Sequence, residues 1–439
     1  MSLLIKNAII VNADEISSKP QDILIEHGVI VKISSKIDAR AEETIDAQGK
    51  FVLPGLIDLH VHLREPGRED KETIETGSRS AAKGGFTSIF CMPNTTPVID
   101  NAMIVEAIIK EAKRVGLVNV YPIGAITKGQ KDEELTDMFE LKKAGCLALS
   151  DDGRSVFNSQ LMRHALEYAQ MVGLLLIQHC EDPHLSNHGA MNEGMTSTLL
   201  GLKGIPGIAE TIIVGRDIEL AHYLKTRIHF AHISLKRSIE LIRFAKSQGI
   251  QVTAEACPHH FTLTDEVVKS FNTNTKVNPP LRTPQDVWAI KEGLQDGTID
   301  CITTDHAPHT PEEKELAYDQ APFGMIGLET ALGLVVSELV EKKVLTWPQL
   351  VNKMSTMPAK IVGLSSKGEI QEGKDADLTI VDPQKEWVVK KEEFASKSKN
   401  SPFIGRTLKG SVEATICGGK VVYQVNSNLR GMKDAGRET

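Results

Sequence analysis

The chain has few cysteines. There are six in 439 residues (Cys91, Cys146, Cys180, Cys257, Cys301 and Cys417), widely scattered and without a Cys-x-x-Cys pair. Most fall in strand-like apolar runs, where cysteine acts as a small core residue. That spacing excludes a disulfide framework and predicts a reduced, cytoplasmic protein. Long hydrophobic runs are missing too. Residues 171–177 are among the longest, far below membrane-span length, and read as a buried strand. The first ten residues, MSLLIKNAII, lack the charged, apolar, small order of a secretory leader. There is no excess of positive charge: 50 Lys and Arg stand against 58 Asp and Glu, a net charge of −8. That argues against nucleic acid or an anionic membrane as partner, and leaves room for a local basic pocket that takes an acidic metabolite.

What is present is ordinary in bulk: 41% hydrophobic and 25% charged residues, in a length that suits one large domain and a smaller one. Residues 1–53 read as β structure, with Glu26-His27-Gly28 as a hairpin turn and His27 exposed in it. From residue 54 the pattern alternates. Strand-like runs at 56–62, 86–91, 118–125, 146–151, 173–180, 227–233, 250–257 and 299–305 are separated by helical patterns such as 101–115, 132–144, 158–171, 208–225 and 235–247. Closing helices follow at 326–342 and 347–363. Eight such units over 54–364 predict an α/β fold, a (β/α)8 TIM-type barrel. The alternative is a doubly wound open sheet, but no Gly-rich dinucleotide fingerprint follows the first strand. Residues 365–439 return to β structure: a β-rich stretch at 365–382, a charged connector at 390–401, read as solvated, and two short strands at 410–423. The β-rich chain ends are expected to pair into one small domain.

The polar residues at the strand ends carry the chemistry. Strand one brings His60 and His62, which share a face because side chains alternate along a strand. Arg64 follows, a fixed cation suited to a carboxylate. One His-x-His pair is close to what chance supplies in a chain with 14 histidines. Strand four, however, ends in Asp151-Asp152, strand five in His179, strand six in His232 and strand eight in Asp305. Five strands delivering histidine or aspartate to one rim suit two divalent ions of borderline softness, zinc foremost. Parity does not choose between Asp151 and Asp152. His259 and His260 are candidates for a supporting layer. His229, opposite in parity to His232, is expected to point away from the interior. His164, His184, His188 and His222 read as structural or exposed.

Several ordered motifs resemble the amidohydrolase superfamily, and within it the class I dihydroorotases. They are residues 58–67 (DLHVHLREPG), 91–95 (CMPNT), 150–153 (SDDG), 178–182 (QHCED), 277–282 (VNPPLR), 304–309 (TDHAPH), 321–324 (APFG) and 373–378 (GKDADL). The resemblance implies that His60, His62 and Asp305 hold one zinc, that His179 and His232 hold a second, and that Asp152 bridges both; a one-ion site is the alternative. Relatives such as hydantoinases bridge their metals with a carboxylated lysine. Here the fourth strand has no lysine, and Lys142 and Lys143 fall in the preceding helix.

The resemblance further implies that His62, Arg64, Asn94 and His309 read the substrate's carboxylate and ring, with Asn278 and the backbone of Phe323 and Gly324 completing its hydrogen bonds. The implied reaction is the reversible closure of N-carbamoyl-L-aspartate to L-dihydroorotate in pyrimidine biosynthesis, with a metal-bridging hydroxide as nucleophile and Asp305 moving the proton. The loop 310–322 is a candidate lid. A homodimer and association with an aspartate carbamoyltransferase are the implied partners. The rival readings are another cyclic amidase, a non-catalytic scaffold subunit, and a barrel with only structural histidines.

Overall fold

A computed structural model describes residues 2–425. Five strands open the chain: β1 (Ser2–Ile10), β2 (Gln21–Glu26), β3 (Val29–Ser34), β4 (Glu43–Asp46) and β5 (Phe51–Pro54). Three close it: β16 (Leu378–Val388), β17 (Thr407–Cys417) and β18 (Lys420–Gln424). Together they form one eight-stranded sheet in the order β18-β17-β16-β5-β1-β2-β3, with β4 on β1. The two ends of the chain meet where β16 runs antiparallel to β5, Leu378 opposite Pro54. Alternating apolar residues build its own core, in which Leu3, Ile5, Ile23, Ile25, Val52, Leu378, Ile380 and Ile416 are buried. His27 sits exposed in the β2–β3 turn, as expected.

Between these ends the strands are short and parallel. They are β6 (Leu56–Val61), β7 (Phe86–Cys91), β8 (Asn119–Pro122), β9 (Ala148–Ser150) and β10 (Leu175–Gln178), then a small pair, β11 (Met191–Asn192) and β12 (Gly204–Ile205), then β13 (Ile228–Phe230), β14 (Val252–Ala256) and β15 (Cys301–Ile302). Strands β6-β7-β8 form one parallel sheet and β9-β10-β13-β14-β15 another. Isolated parallel bridges join them at both margins, Gly124 to Leu149 and Val61 to His306. Helices such as Ile74–Lys83, Ala102–Val115, Ser159–Val172, Ile208–Leu224 and Lys236–Ser247 separate the strands. The architecture is mixed α/β. Strand β6 is buried along its whole length; Leu56 and Val61 join one apolar cluster, while Ile57 and Leu59 join another with Phe90, Met92 and Ile177. Among the described residues no helix is long and apolar enough to cross a membrane, and all six cysteines are free thiols.

Four expectations need correction. The helix expected over 132–144 is Met138–Ala144 only, because Asp137 caps it by accepting from the Glu140 amide (3.1 Å). The eighth strand is just Cys301–Ile302; by Asp305 the backbone has turned to φ +46°. His229 does not point away from the interior. β13 stops at Phe230 and His232 has φ +32°, so strand parity does not extend between the two histidines. His229 is buried inside, 3.1 Å from Glu255 Oε2 and 2.8 Å from Thr253 Oγ1. Finally, the connector 390–401 is not solvated at its second half. Phe394, Ser396, Ser398, Asn400 and Ser401 are buried. The carboxylates of Glu329 and Glu72 draw the segment in, accepting from the amides of Ala395 (2.9 Å), Ser396 (3.0 Å) and Lys397 (3.0 Å).

Candidate active site

The parallel strands end on one shared cluster. His60, His62, Asp152, His179, His232 and Asp305 are all buried. Two overlapping sets of donor atoms lie within 4.8 Å of one another: His60, His62 and Asp305, and His60, Asp152 and His232. Asp152 is central. Its Oδ1 stands 3.2 Å from His60 Nε2, 3.3 Å from His232 Nε2 and 3.4 Å from His179 Nδ1, and its Oδ2 stands 3.5 Å from His62 Nε2. Asp151, its neighbour, faces elsewhere and accepts from the amides of Ile126 (2.8 Å) and Thr127 (3.1 Å). Sequence parity left this choice open; the turn after β9 decides it.

Each imidazole is aimed by what its other nitrogen meets. His60 Nδ1 donates to Glu255 Oε1 (2.8 Å), and His60 Nε2 is left buried without a hydrogen-bond partner. His62 Nδ1 donates to Asn94 Oδ1 (2.9 Å), leaving Nε2 beside Asp305 Oδ1 (2.9 Å). His179 Nε2 donates to Glu181 Oε2 (2.9 Å), which also accepts from Asn278 Nδ2 (2.6 Å). Two of the expected substrate contacts, Asn94 and Asn278, therefore also hold site histidines in place. Arg64, His232 and Asp305 have φ of +62°, +32° and +46°, a left-handed backbone that side-chain-bearing residues keep only when their surroundings over-determine it, and which concentrates at functional sites.

These residues fit a metal. Two ligands at about 2.1 Å from one tetrahedral ion stand about 3.4 Å apart, close to the spacings around Asp152. The electrostatics agree. Burial pushes the His60 imidazolium down, but the carboxylates of Asp152 and Glu255 reverse this and raise it well above the ordinary range. His179, equally opposed by burial, is raised to about 10 by Asp152 and Glu181. Burial pushes Asp152 up, yet the facing imidazoles, His60 foremost, hold it well below the carboxylate range. Asp305 is likewise held low against burial, by His62 and then His60. His60 and His179 are held toward the protonated form while burial pushes His62 below the ordinary imidazole range, and the positive charge on the first two is what a divalent cation would replace.

Beside the cluster lies a cavity of about 190 Å³ whose lining includes His62, Asp152, His179 and Asp305 together with Arg64, Asn94, Asn278, His309, Phe323 and Gly324. His60 and His232 lie outside the lining. Arg64 is anchored by its Nε on Pro308 O (3.2 Å), with Nη2 3.4 Å from His309 Nε2. Burial lowers its pKa to about 10, the desolvation that makes an arginine bind an anion strongly. Burial and the cations of Arg64 and Lys71 push His309 down to about 2, so it stays neutral. Gly324 at φ +133° packs where a Cβ would sit 2.8 Å from Ala307 Cβ. The segment 310–322 is seated on this wall. Glu313, on the short helix Pro311–Lys314, meets Arg68 (3.0 Å), Lys71 (2.8 Å) and His309 Nδ1 (2.9 Å).

Sequence reasoning passed over Glu255, Glu181 and Asp58. Glu255 had a readable signal: a lone carboxylate in a mostly apolar strand (VTAEA) needs a cationic or hydrogen-bonding partner. Asp58 accepts from the amides of His60 (3.0 Å) and Thr304 (3.2 Å), tying strand one to strand eight, and burial raises it to about 7. His259 and His260 lie nearby. His260 Nε2 donates to Pro279 O (2.8 Å), and His259 is pushed down to about 4 by burial.

Fold and site together define the class, an amidohydrolase. Residues 251–423 match the amidohydrolase family model. The chain superposes on the L-hydantoinase of Arthrobacter aurescens with a TM-score of 0.86 and 28% identity, over 96% of each chain. It shares its fold with the dihydropyrimidinase of Brevibacillus agri at a TM-score of 0.83 and 23% identity, over 97% of this chain and 95% of that one. The particular family is narrower. Residues 49–238 match the dihydro-orotase-like model. The chain is 55% identical over 424 residues to the dihydroorotase of Pelotomaculum thermopropionicum, covering 97% of this chain and 99% of that protein. It is 54% identical over 425 residues to that of Endomicrobium trichonymphae, covering 97% and 100%. The chain belongs to the dihydro-orotase-like family.

Glu255 carries a prediction. Glu255→Gln keeps the shape but removes the charge behind His60, so metal affinity falls roughly 10- to 100-fold. Retention of an added divalent metal against a competing chelator measures this; wild-type retention would remove Glu255 from that role.

Proposed function

We propose that this protein is a dihydroorotase, catalysing the reversible, zinc-dependent closure of N-carbamoyl-L-aspartate and a proton to L-dihydroorotate and water. One observation carries the reading: Arg64, desolvated and fixed beside neutral His309, opens into the same small cavity as the histidine–aspartate cluster. A cavity built that way favours a compact ring bearing a carboxylate over an uncharged one. The 55% identity to a dihydroorotase over nearly the whole chain supports the same substrate.

In this reading His60, His62 and Asp305 would hold one zinc, His179 and His232 would hold a second, and Asp152 would be shared between them. Zinc, when bound, supplies Lewis acidity and makes hydroxide available near neutral pH. The chain's residues do the rest. Arg64, with Asn94 and His309, holds the substrate carboxylate. The Phe323-Gly324 backbone and Asn278 orient the ring. Asp305, 2.9 Å from His62 Nε2 and kept ionised by it, accepts a proton from the attacking water and returns it to the leaving ring nitrogen. In the closing direction the same carboxylate takes the proton from the attacking carbamoyl nitrogen. The seated 310–322 segment keeps bulk water from the carboxylate site, the role of a lid.

The fold is read as a (β/α)8 barrel over 54–364, carrying the site at its strand ends, with a small β-domain from 1–53 and 365–439. The parallel bridges at both sheet margins and the separate core of the terminal sheet support that division. A second reading, an uncharged cyclic amidase, draws on the L-hydantoinase neighbour. The half-buried Arg64, lining the cavity, weighs against it, because a neutral ring would leave that cation unpaired.

Turnover of dihydroorotate, followed by absorbance, tests the function: a chelator should abolish it and added zinc restore it. No hydrolysis in zinc-replete protein would remove the assignment. Asp305→Asn should lose roughly 10³-fold in kcat with native circular dichroism, and near-normal turnover would take the proton-transfer role from Asp305. Arg64→Met should lower kcat/KM about a hundredfold for dihydroorotate but little for dihydrouracil; equal losses on both would refute carboxylate recognition.

A further inference from the structure

Residues 394–401 run behind the substrate wall, and their side-chain attachments lead to chain that carries the site. Glu72 accepts from Ser396 Oγ and from the Lys397 amide (3.0 Å). The same carboxylate stands 3.2 Å from Nε2 of His306, the residue after Asp305. Ser398 Oγ donates to Lys71 O (2.7 Å). Asn400 then spans the two stretches that make the wall. Its Nδ2 donates to Ala307 O (3.0 Å) and to Gly324 O (3.1 Å), and its Oδ1 accepts from the His309 amide (3.2 Å). Its own carbonyl accepts from the Ile326 amide (3.0 Å). Asn400 is buried, so water does not replace these bonds when they are lost. Only an amide of this length offers two donors and an acceptor at one point.

We propose that Asn400 is a positioning residue for substrate binding. It sets the distance between His309, beside Arg64, and the Phe323-Gly324 backbone. The strap 394–401 thereby ties the substrate wall to the chain that leads into β17 of the terminal sheet. Binding groups displaced by about 1 Å lose much of their effect, and Asn400 touches both sides of the gap. The kinetic half of the inference rests on the proposed dihydroorotase activity; the structural half does not.

Two variants test it. Asn400→Asp keeps the shape but replaces the donor nitrogen, with both its N–H bonds, by an oxygen facing two carbonyls, and Asn400→Ala removes all three side-chain bonds. In both, KM for dihydroorotate should rise about tenfold or more while kcat stays within about threefold. Zinc content should stay near wild type, while Tm falls modestly, because the buried Ala307 and Gly324 carbonyls and the His309 amide lose their partner. Hydrogen exchange should quicken in peptides covering 305–310 and 322–326 and nowhere else. A folded variant with wild-type KM, or with unchanged exchange in those two peptides, overturns the inference. So does a parallel fall of Tm, zinc content and kcat with KM unmoved, which marks a general packing role. Should Asn400→Ala fail to fold, Asn400→Ser, which keeps one donor and adds no charge, carries the same readouts. If wild-type protein does not turn over dihydroorotate, the functional reading falls, and the exchange measurement still decides the strap.

Discussion

The charge balance around Asp152 is the constraint on which the rest depends. One carboxylate lies within 3.2 to 3.5 Å of four imidazoles, all withdrawn from water. Buried charge is tolerated only when it is paired and hydrogen-bonded. The surrounding chain is arranged to satisfy that condition. Glu255 holds His60 and His229, Asn94 holds His62, and Glu181 holds His179. These partners come from different strands, so the cluster exists only in one register of the parallel sheets. Asp58, bridging strand one to strand eight through backbone amides, enforces the register where the sheet margins meet.

A second layer of restraint shapes the substrate side. Arg64 is costly to bury, and its position depends on Pro308 and His309, which themselves need holding. Glu313 holds His309 from the 310–322 segment, and Asn400 holds its amide from the strap. The L-hydantoinase neighbour shares the architecture at 28% identity. A common scaffold does not by itself choose the substrate, since function lives in the site a fold carries.

The two layers meet at residues 305–309, where one short stretch carries Asp305 of the cluster and His309 of the wall. The backbone there has left the strand, at φ +46° for Asp305. It is tied on one side to β6, with the His62 amide donating to His306 O (2.8 Å), and on the other to Met325, whose carbonyl accepts from the Ala307 amide (2.8 Å). Any movement of this stretch displaces the histidine–aspartate cluster and the cavity wall together.

The sequence alone determined the alternation of strands and helices, the β-rich ends, and the six ligand-type residues at strand ends. Those signals are local: hydrophobic period, turn residues and ordered motifs lie within a few positions of one another. It also singled out Arg64, which lines the same cavity. Only the tertiary structure decided that Asp152 rather than Asp151 faces the histidines, that His229 turns inward, and that residues 394–401 are buried. Asp151 is drawn away by amides of a neighbouring loop, and β13 ends before His232, so the parity rule has no strand left to act on. The strap is polar and charged, and on composition alone it reads as solvated. Its burial depends on Glu72 and Glu329, hundreds of residues and tens of residues away in the chain, and contacts at that range leave no periodic trace in the sequence.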